Sequence, residues 1–275
     1  MRRYRYNYQS ILYFEVPVER HDFYLRCLPC ENACQHIVAE ELHIRPASHI
    51  LQGMDGQKNR IQYGYTNEQH DAFVFTCNGE VELSAYRLPA SGNGGLYRVE
   101  SRLTLSGPRL EALSQSLLFP DGLSVADKAL QIADAVHHAM TYMPQSTDNQ
   151  TSAEEALTRG QGVCQDYAHI CIALCRRKGI AARYVNGFVV GTGVTHAWIE
   201  VLIDEGAWIG IDPTANRAAT EGYIKIAHGR DAADCPVNRG IFRGAPTGQK
   251  AEIRVIVEPI EYPQANPFIP TTYIQ

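Results

Sequence analysis

The chain has 275 residues, 45% hydrophobic and 20% charged, with 22 glycines and 14 prolines in no repeating pattern. That composition excludes disorder and fibrous or collagen-like structure, and the length suits one large or two modest domains, each burying its own core. A formal charge of -5, from 25 basic and 30 acidic residues, supplies no positive field to draw the chain to nucleic acid or anionic lipid, so neither is an expected partner.

The chain opens on Arg2, Arg3 and Arg5 interleaved with Tyr4, Tyr6 and Tyr8, which reads as alternation along a first β-strand rather than as a nucleic-acid surface. The apolar stretch Ile11 to Phe14 stops at Glu15, too short for a signal-peptide core. No uncharged apolar run approaches the ~20 residues of a membrane helix. Most of the eight cysteines, Cys27, Cys30, Cys34, Cys77, Cys164, Cys171, Cys175 and Cys235, are therefore expected as free thiols in a reducing, cytoplasmic setting.

As far as about Leu105 the pattern is β. Val38 to Ile44, Arg60 to Tyr65, Ala72 to Thr76 and Leu96 to Leu105 alternate or are rich in β-branched and aromatic residues, with turn clusters at Asp55-Gly56, Asn78-Gly79 and Ser91 to Gly95. Short strands at this spacing predict a sandwich. At Gly107-Pro108 the period changes. Pro108 suits a first helical turn ahead of Leu110, Leu113 and Leu117. Ser124 with Asp127 opens a second helix, whose predicted stripe is Leu130, Ala133, Val136, His137 and Met140. Ser152 to Glu155 has capping-box form. A boundary is placed where the period changes, near residues 105 to 110, giving a β domain over 1–107 and a second domain, with a C-terminal β extension, over 108–275.

Within the second domain, two glycines, Gly160 and Gly162, lead into a segment where Ala168, Cys171, Ile172 and Cys175 share one helical face, ending at a basic last turn and Gly179. Cys164 thus stands at a helix N-terminus, where free N–H groups and the macrodipole favour a thiolate nucleophile. Strands follow over Ala182 to Val190, His196 to Ile203 and Ala207 to Asp212, with a turn at Asp204-Glu205-Gly206. With that hairpin centred near Asp204, His196 and Asp212 lie opposite one another on one face. Asp212 would then hold one imidazole nitrogen while the other faces Cys164. The Cys164 N–H would meet an oxyanion together with a second donor the sequence does not identify.

The residues around these three resemble a known family. Gly160-x-Gly162-Val163-Cys164-Gln165-Asp166-Tyr167-Ala168-His169, Gly179-Ile180-x-Ala182-Arg183-Tyr184-Val185-x-Gly187, Thr195-His196-Ala197-Trp198-Ile199-Glu200-Val201 and Trp208-Ile209-Gly210-Ile211-Asp212-Pro213-Thr214 are similar to the bacterial transglutaminase-like family of predicted cysteine proteases. Tyr24 to Pro29 with Gln35 resembles that family's N-terminal β domain, and Ile226 to Asp231 with Arg239 to Gly244 its C-terminal signature. The resemblance implies an α+β fold: a β-sandwich-like domain, then a papain-like, transglutaminase-like core with the cysteine helix against an antiparallel sheet. It also implies Cys164 as nucleophile, His196 as base and acid, and Asp212 as orienting carboxylate. The reaction would be hydrolysis or transfer at an amide of a peptide or protein through a thioester, with no metal or organic cofactor. A non-catalytic peptide- or partner-binding module on the same fold is the alternative, and the oligomeric state stays open.

Other residues have blander readings. Cys171 and Cys175 are read as core. Cys27-x-x-Cys30 has zinc-ligand spacing, but Cys34-x-His36 is no standard second knuckle, so incidental thiols are favoured. His169 lies five residues past Cys164, a rotation of ~500° that turns it away, and is read as structural. Asp166 would complement the helix dipole. His228, Arg230 and Asp231 are read as an ion-pair network, and Trp198 and Trp208 as packing.

Overall fold

The computed structural model describes residues 1–245 and 247–260; the end of the expected second domain, 261–275, lies outside the described residues. The fold is α+β. Strand β1 (Arg2–Leu25) runs 24 residues, with Tyr4, Tyr6 and Tyr8 buried while Arg5 and Asn7 face solvent, the period-two burial expected of a half-buried strand. After it come β2 (Gln35–Arg45), β3 (His49–Met54), β4 (Arg60–Thr66) and β5 (His70–Leu83). The first half of β1 pairs with β5, and β5 with β2. Beyond a register shift between Tyr13 and Val18, the second half pairs with β4, and β4 with β3. This bend folds one half over the other, so that Phe73 on β5 packs 5.1 Å from Phe23 and 4.5 Å from His21, ring to ring. A sandwich-like core results from one continuous sheet.

The chain then crosses over. Strand β6 (Arg87–Pro89) and two 3-10 turns, Gly95–Arg98 and Arg102–Thr104, lead to α1 (Pro108–Ser116), α2 (Val125–Ala139), β7 (Thr141–Tyr142), α3 (Ala153–Arg159), β8 (Gln161–Gly162) and α4 (Cys164–Arg177). The rest is β9 (Ala182–Val189), β10 (Gly191–Gly193), β11 (His196–Leu202), β12 (Ala207–Asp212), β13 (Arg217–Ala218), β14 (Tyr223–Gly229), a 3-10 turn at Ala232–Asp234, β15 (Asn238–Gly244) and β16 (Gln249–Pro259). A second antiparallel sheet has the order β13-β12-β11-β9-β14, with β6 added on β12. Strands β15 and β16 return to pair with β1, and β10 pairs with β16. The expected division at residue 107 therefore does not coincide with the division between sheets: Arg87–Pro89 already belongs to the second sheet and the C-terminal strands to the first.

Helix α4 is the hub. From Asp166 to Arg176 every residue is buried, with α1, α2 and α3 on one side and β9 and β11 on the other, which is the setting of a helix enclosed all round. The caps read in the sequence are present: Pro108 in the first turn of α1, the Ser124 side chain accepting from the Asp127 N–H, and a reciprocal Ser152–Glu155 box. Two expectations need correcting. The buried stripe of α2 is Ala129, Ile132, Ala133 and Val136, continued by Met140, whereas Leu130 is exposed. Leu96 to Leu105 is not a strand, because its polar groups are used elsewhere. The Leu103 N–H donates to Asp231, while Ser101, Thr104 and the Tyr97 carbonyl receive the Arg176 guanidinium.

Buried Arg176 donates five hydrogen bonds, to Tyr97 O, Ser101 Oγ, Thr104 Oγ1, Ala182 O and Arg230 O, and so ties the end of α4 to three separate segments. Burial pulls its guanidinium down to about 10. Leaving several buried acceptors unsatisfied makes Arg176→Met cost about 3 kcal/mol or more in urea unfolding. Arg176→Lys, with fewer donors and no planar fork, does not restore it. A loss under about 1 kcal/mol contradicts this role.

Candidate active site

The approach to Cys164 is held from both ends. Strand β7 pairs in parallel with β8, placing Tyr142 against Gly162. One turn later Asp166 folds back: its buried carboxylate accepts the Val163 N–H at 2.8 Å and the Thr147 hydroxyl at 2.6 Å. Burial raises this carboxyl, against the pull of those two bonds. The backward fold explains Gly162, where a Cβ would come within 2.7 Å of the Asp166 side chain. Asp166 thus caps the helix N-terminus through the Val163 N–H, beyond complementing its dipole. Cys164, first residue of α4 and half-buried, carries an N–H with no intrahelical acceptor. Tyr142 and Tyr184 stand close enough for the sulfur's charge to raise their hydroxyls, after the larger effect of burial.

His196 is supplied by the β11–β12 hairpin. Its pairs are Ile199 with Ile211, Val201 with Ile209 and Leu202 with Trp208, so the hairpin is centred on residue 205 and not on Asp204. The Ile203 N–H bonds to Ala207 O, and Gly206 at φ 70° closes the loop, a three-residue turn with left-handed glycine. His196 and Asp212 are consequently diagonal rather than directly opposite, yet still on one face, because parity survives a two-residue shift. His196 Nε2 lies 2.8 Å from Asp212 Oδ2, leaving Nδ1 as the nitrogen for the thiol, and Cys164 stands close enough to act on the charge of this imidazole.

Asp212 is itself fixed. Besides the imidazole, Oδ2 accepts the Tyr223 hydroxyl at 2.8 Å, and Oδ1 accepts the N–H groups of Thr214 at 3.0 Å and Ala215 at 3.1 Å. Burial would raise this carboxyl, but the bonds to His196, Tyr223 and Ala215 outweigh it and the net shift is downward. Tyr223 accepts from Arg217 Nε at 3.1 Å. The indole of buried Trp198 stacks on the imidazole, 22° from parallel and 6.3 Å between centroids. Its N–H donates to Tyr86 at 3.0 Å.

The three predicted residues, Cys164, His196 and Asp212, are therefore brought together, and the others are not. His169 is fully buried and accepts the Ala232 N–H. Arg230 pairs with Asp234, Asp231 caps the turn at Ala233, and His228 lines a separate cavity. Cys171 and Cys175 are core. Cys27 is buried, and His36 pairs with Glu31. Among the described residues no three His, Cys, Asp or Glu side chains converge as metal ligands. All eight cysteines are unpaired. No helix among the described residues is long and apolar enough to cross a membrane. Tyr223 escaped the sequence reading: it lies on β14, remote from the hairpin in sequence, and nothing local marks it.

His196 carries the clearest electrostatic signature. Burial opposes protonation, but the hydrogen bond to Asp212 and the nearness of Cys164, with the charges of both, raise the imidazole from 6.5 to about 10. A group raised in the folded state contributes stability fully present below about pH 6.5 and lost as pH rises through about 10. Imidazole NMR should therefore show His196 protonated at pH 8, and the midpoint should fall in Asp212→Asn and, less, in Cys164→Ala. A midpoint near 6.5 in the unmodified protein contradicts this geometry.

Residues 118–213 match the core of the transglutaminase-like superfamily, and residues 4–82 match the bacterial transglutaminase-like N-terminal region. Uncharacterized proteins of Mycobacterium tuberculosis and Mycobacterium bovis are each 29% identical over 267 residues, spanning 85% of this chain and 85% of theirs. One from Mycobacterium leprae is 36% identical over 129 residues, 43% of this chain and 44% of its own. The crystal structure of a candidate cysteine protease from Cytophaga hutchinsonii shares the fold, with TM-score 0.80 at 24% identity over 96% of this chain and 93% of that one. The chain belongs to the transglutaminase-like superfamily, its core preceded by the bacterial transglutaminase-like N-terminal region.

Proposed function

We propose that the protein is a cysteine-nucleophile enzyme that cleaves or transfers the acyl group of an amide or isopeptide bond in a peptide or protein. The observation that carries this is a His196 imidazole hydrogen-bonded to Asp212 and set beside Cys164 at the N-terminus of α4. A binding-only module has no use for an oriented imidazole beside a thiol, which is what disfavours that alternative.

His196 already holds the proton of the Cys164 thiol before substrate binds, as an imidazolium beside a thiolate; sulfur attacks the carbonyl carbon and the C=O electron pair moves onto oxygen. The unpaired Cys164 N–H meets that oxyanion. The imidazolium returns its proton to the departing nitrogen, the C–N bond breaks, and a thioester is left. Water or an amine then attacks, giving a proton to His196. The C–S bond breaks, sulfur leaves as thiolate, and the imidazolium–thiolate pair is restored. Asp212 keeps the imidazole in one tautomer and balances its charge.

A cleft of about 780 Å³ runs beside Gln165 and Asn186 and is lined by amide side chains together with Arg102 and Arg239, a polar bed suited to an extended peptide. The free thiols fit a reducing, cytoplasmic setting.

Alkylation tests the nucleophile directly. Cys164 and Cys30 are the two cysteines that are not fully buried, and burial raises the Cys30 thiol, so iodoacetamide at neutral pH should modify Cys164 well ahead of Cys30; equal rates reject the reading. Cys164→Ala should remove turnover, by about 10³-fold or more, with folding intact. Incubation with a glutamine peptide and a tagged primary amine separates transfer from hydrolysis.

A further inference from the structure

The second sheet has two unlike faces. Ala182, Tyr184, Ala197, Ile199 and Val201 belong to the core that holds α4, whereas Val185, Trp198, Leu202 and Trp208 on the other face pack in separate clusters with Tyr86, Leu88 and Tyr97. On that second face, at the junction with the first sheet, lies a cavity of about 440 Å³ whose lining includes Arg183, Lys225, Trp208, Tyr97 and His228. Clefts at such junctions are common ligand sites.

Its floor carries uncompensated charge. Fully buried Glu200 accepts Arg183 Nε at 2.5 Å, Lys225 Nζ at 2.7 and 2.8 Å, and the Tyr86 hydroxyl at 2.7 Å. One saturated carboxylate thus serves two buried cations, an excess of one positive charge, and buried charge without a counterion is costly. The lining offers no second anion to the floor: Glu31 is turned to the Ile37 N–H and to His36. Burial, then Lys225 and Arg183, keep the His228 imidazole neutral, and burial raises the Cys30 thiol. Lys58, at the rim, adds a further positive charge.

Both cations retain donors. Lys225 Nζ bonds only to Glu200. The Arg183 guanidinium carbon lies over Trp208, 4.1 Å from the ring centroid, with Nε committed to Glu200 and the Tyr97 hydroxyl in hydrogen-bonding reach. Its remaining edge is a fork of the kind that takes a carboxylate or phosphate. We infer that this cavity binds a small organic molecule bearing an oxyanion group, carboxylate or phosphate, seated on Arg183 and Lys225 with its body along Tyr97 and Leu88.

The test needs no acyl transfer and so stands or falls apart from the proposed activity. Benzoate, inorganic phosphate and neutral benzamide are titrated at constant ionic strength, following Tm in the unmodified protein and Trp208 emission in Trp198→Phe. A saturable response to benzoate or phosphate, absent with benzamide, supports the site, and the stronger anion names the group. Lys225→Met should weaken binding about 10-fold or more. Gly56 lines the cavity and a Cβ there meets nothing within 4 Å, so Gly56→Leu should block binding while leaving the charge cluster whole, should Lys225→Met fail to fold. No saturable response to either anion, an equal response to benzamide, or unchanged affinity in Gly56→Leu overturns the inference.

Discussion

The Asp212 carboxylate is the fixed point of the candidate site. It is buried, yet its four hydrogen bonds, from His196, Tyr223, Thr214 and Ala215, come from three parts of the chain and hold it ionised against the cost of desolvation. An imidazole tied to such a group keeps one tautomer and one direction, which is what a thiol at the end of another element requires. Were Asp212 free to rotate, α4 would still present Cys164, but nothing would hold the imidazole toward it.

The surrounding fold serves that alignment from two sides. Enclosed on every face, α4 is anchored at its far end by Arg176 and at its near end by Asp166, so the position of Cys164 is set by the core rather than by an exposed loop. The hairpin is held from beneath: Trp198 stacks under His196 and hands its N–H to Tyr86, which donates to Glu200. Through this chain the imidazole is joined in space to the cationic floor of the second cavity, and the face of the sheet that carries His196 is continuous with the one that carries Arg183 and Lys225.

Much of this was legible in the sequence because it is local. Caps at Ser124 and Ser152, the helix beginning at Cys164 and the three strands after it follow from periodicity and turn chemistry, and an even spacing sufficed to put His196 and Asp212 on one face. What escaped depends on tertiary context. The hairpin centre moved by one residue because Gly206, in the left-handed region, sets a three-residue loop. Leu96 to Leu105 alternates like a strand but gives its polar groups to Arg176 and Asp231, residues far along the chain. Helical spacing alone puts Leu130 on the buried stripe of α2, but Ile132 occupies that face and Leu130 is exposed. Tyr223 and the excess charge around Glu200 arise only when β14 is laid against β9, and no local pattern announces either.

The central claim is that Cys164 forms an acyl bond under the direction of His196 and Asp212. Intact-protein mass spectrometry after brief exposure to p-nitrophenyl acetate measures this most directly. The account predicts one acetyl adduct, mapped to Cys164, missing in Cys164→Ala and formed far more slowly in Asp212→Asn. Acetylation spread over other thiols, or an adduct at Cys164 whose rate is unchanged in Asp212→Asn, would contradict it.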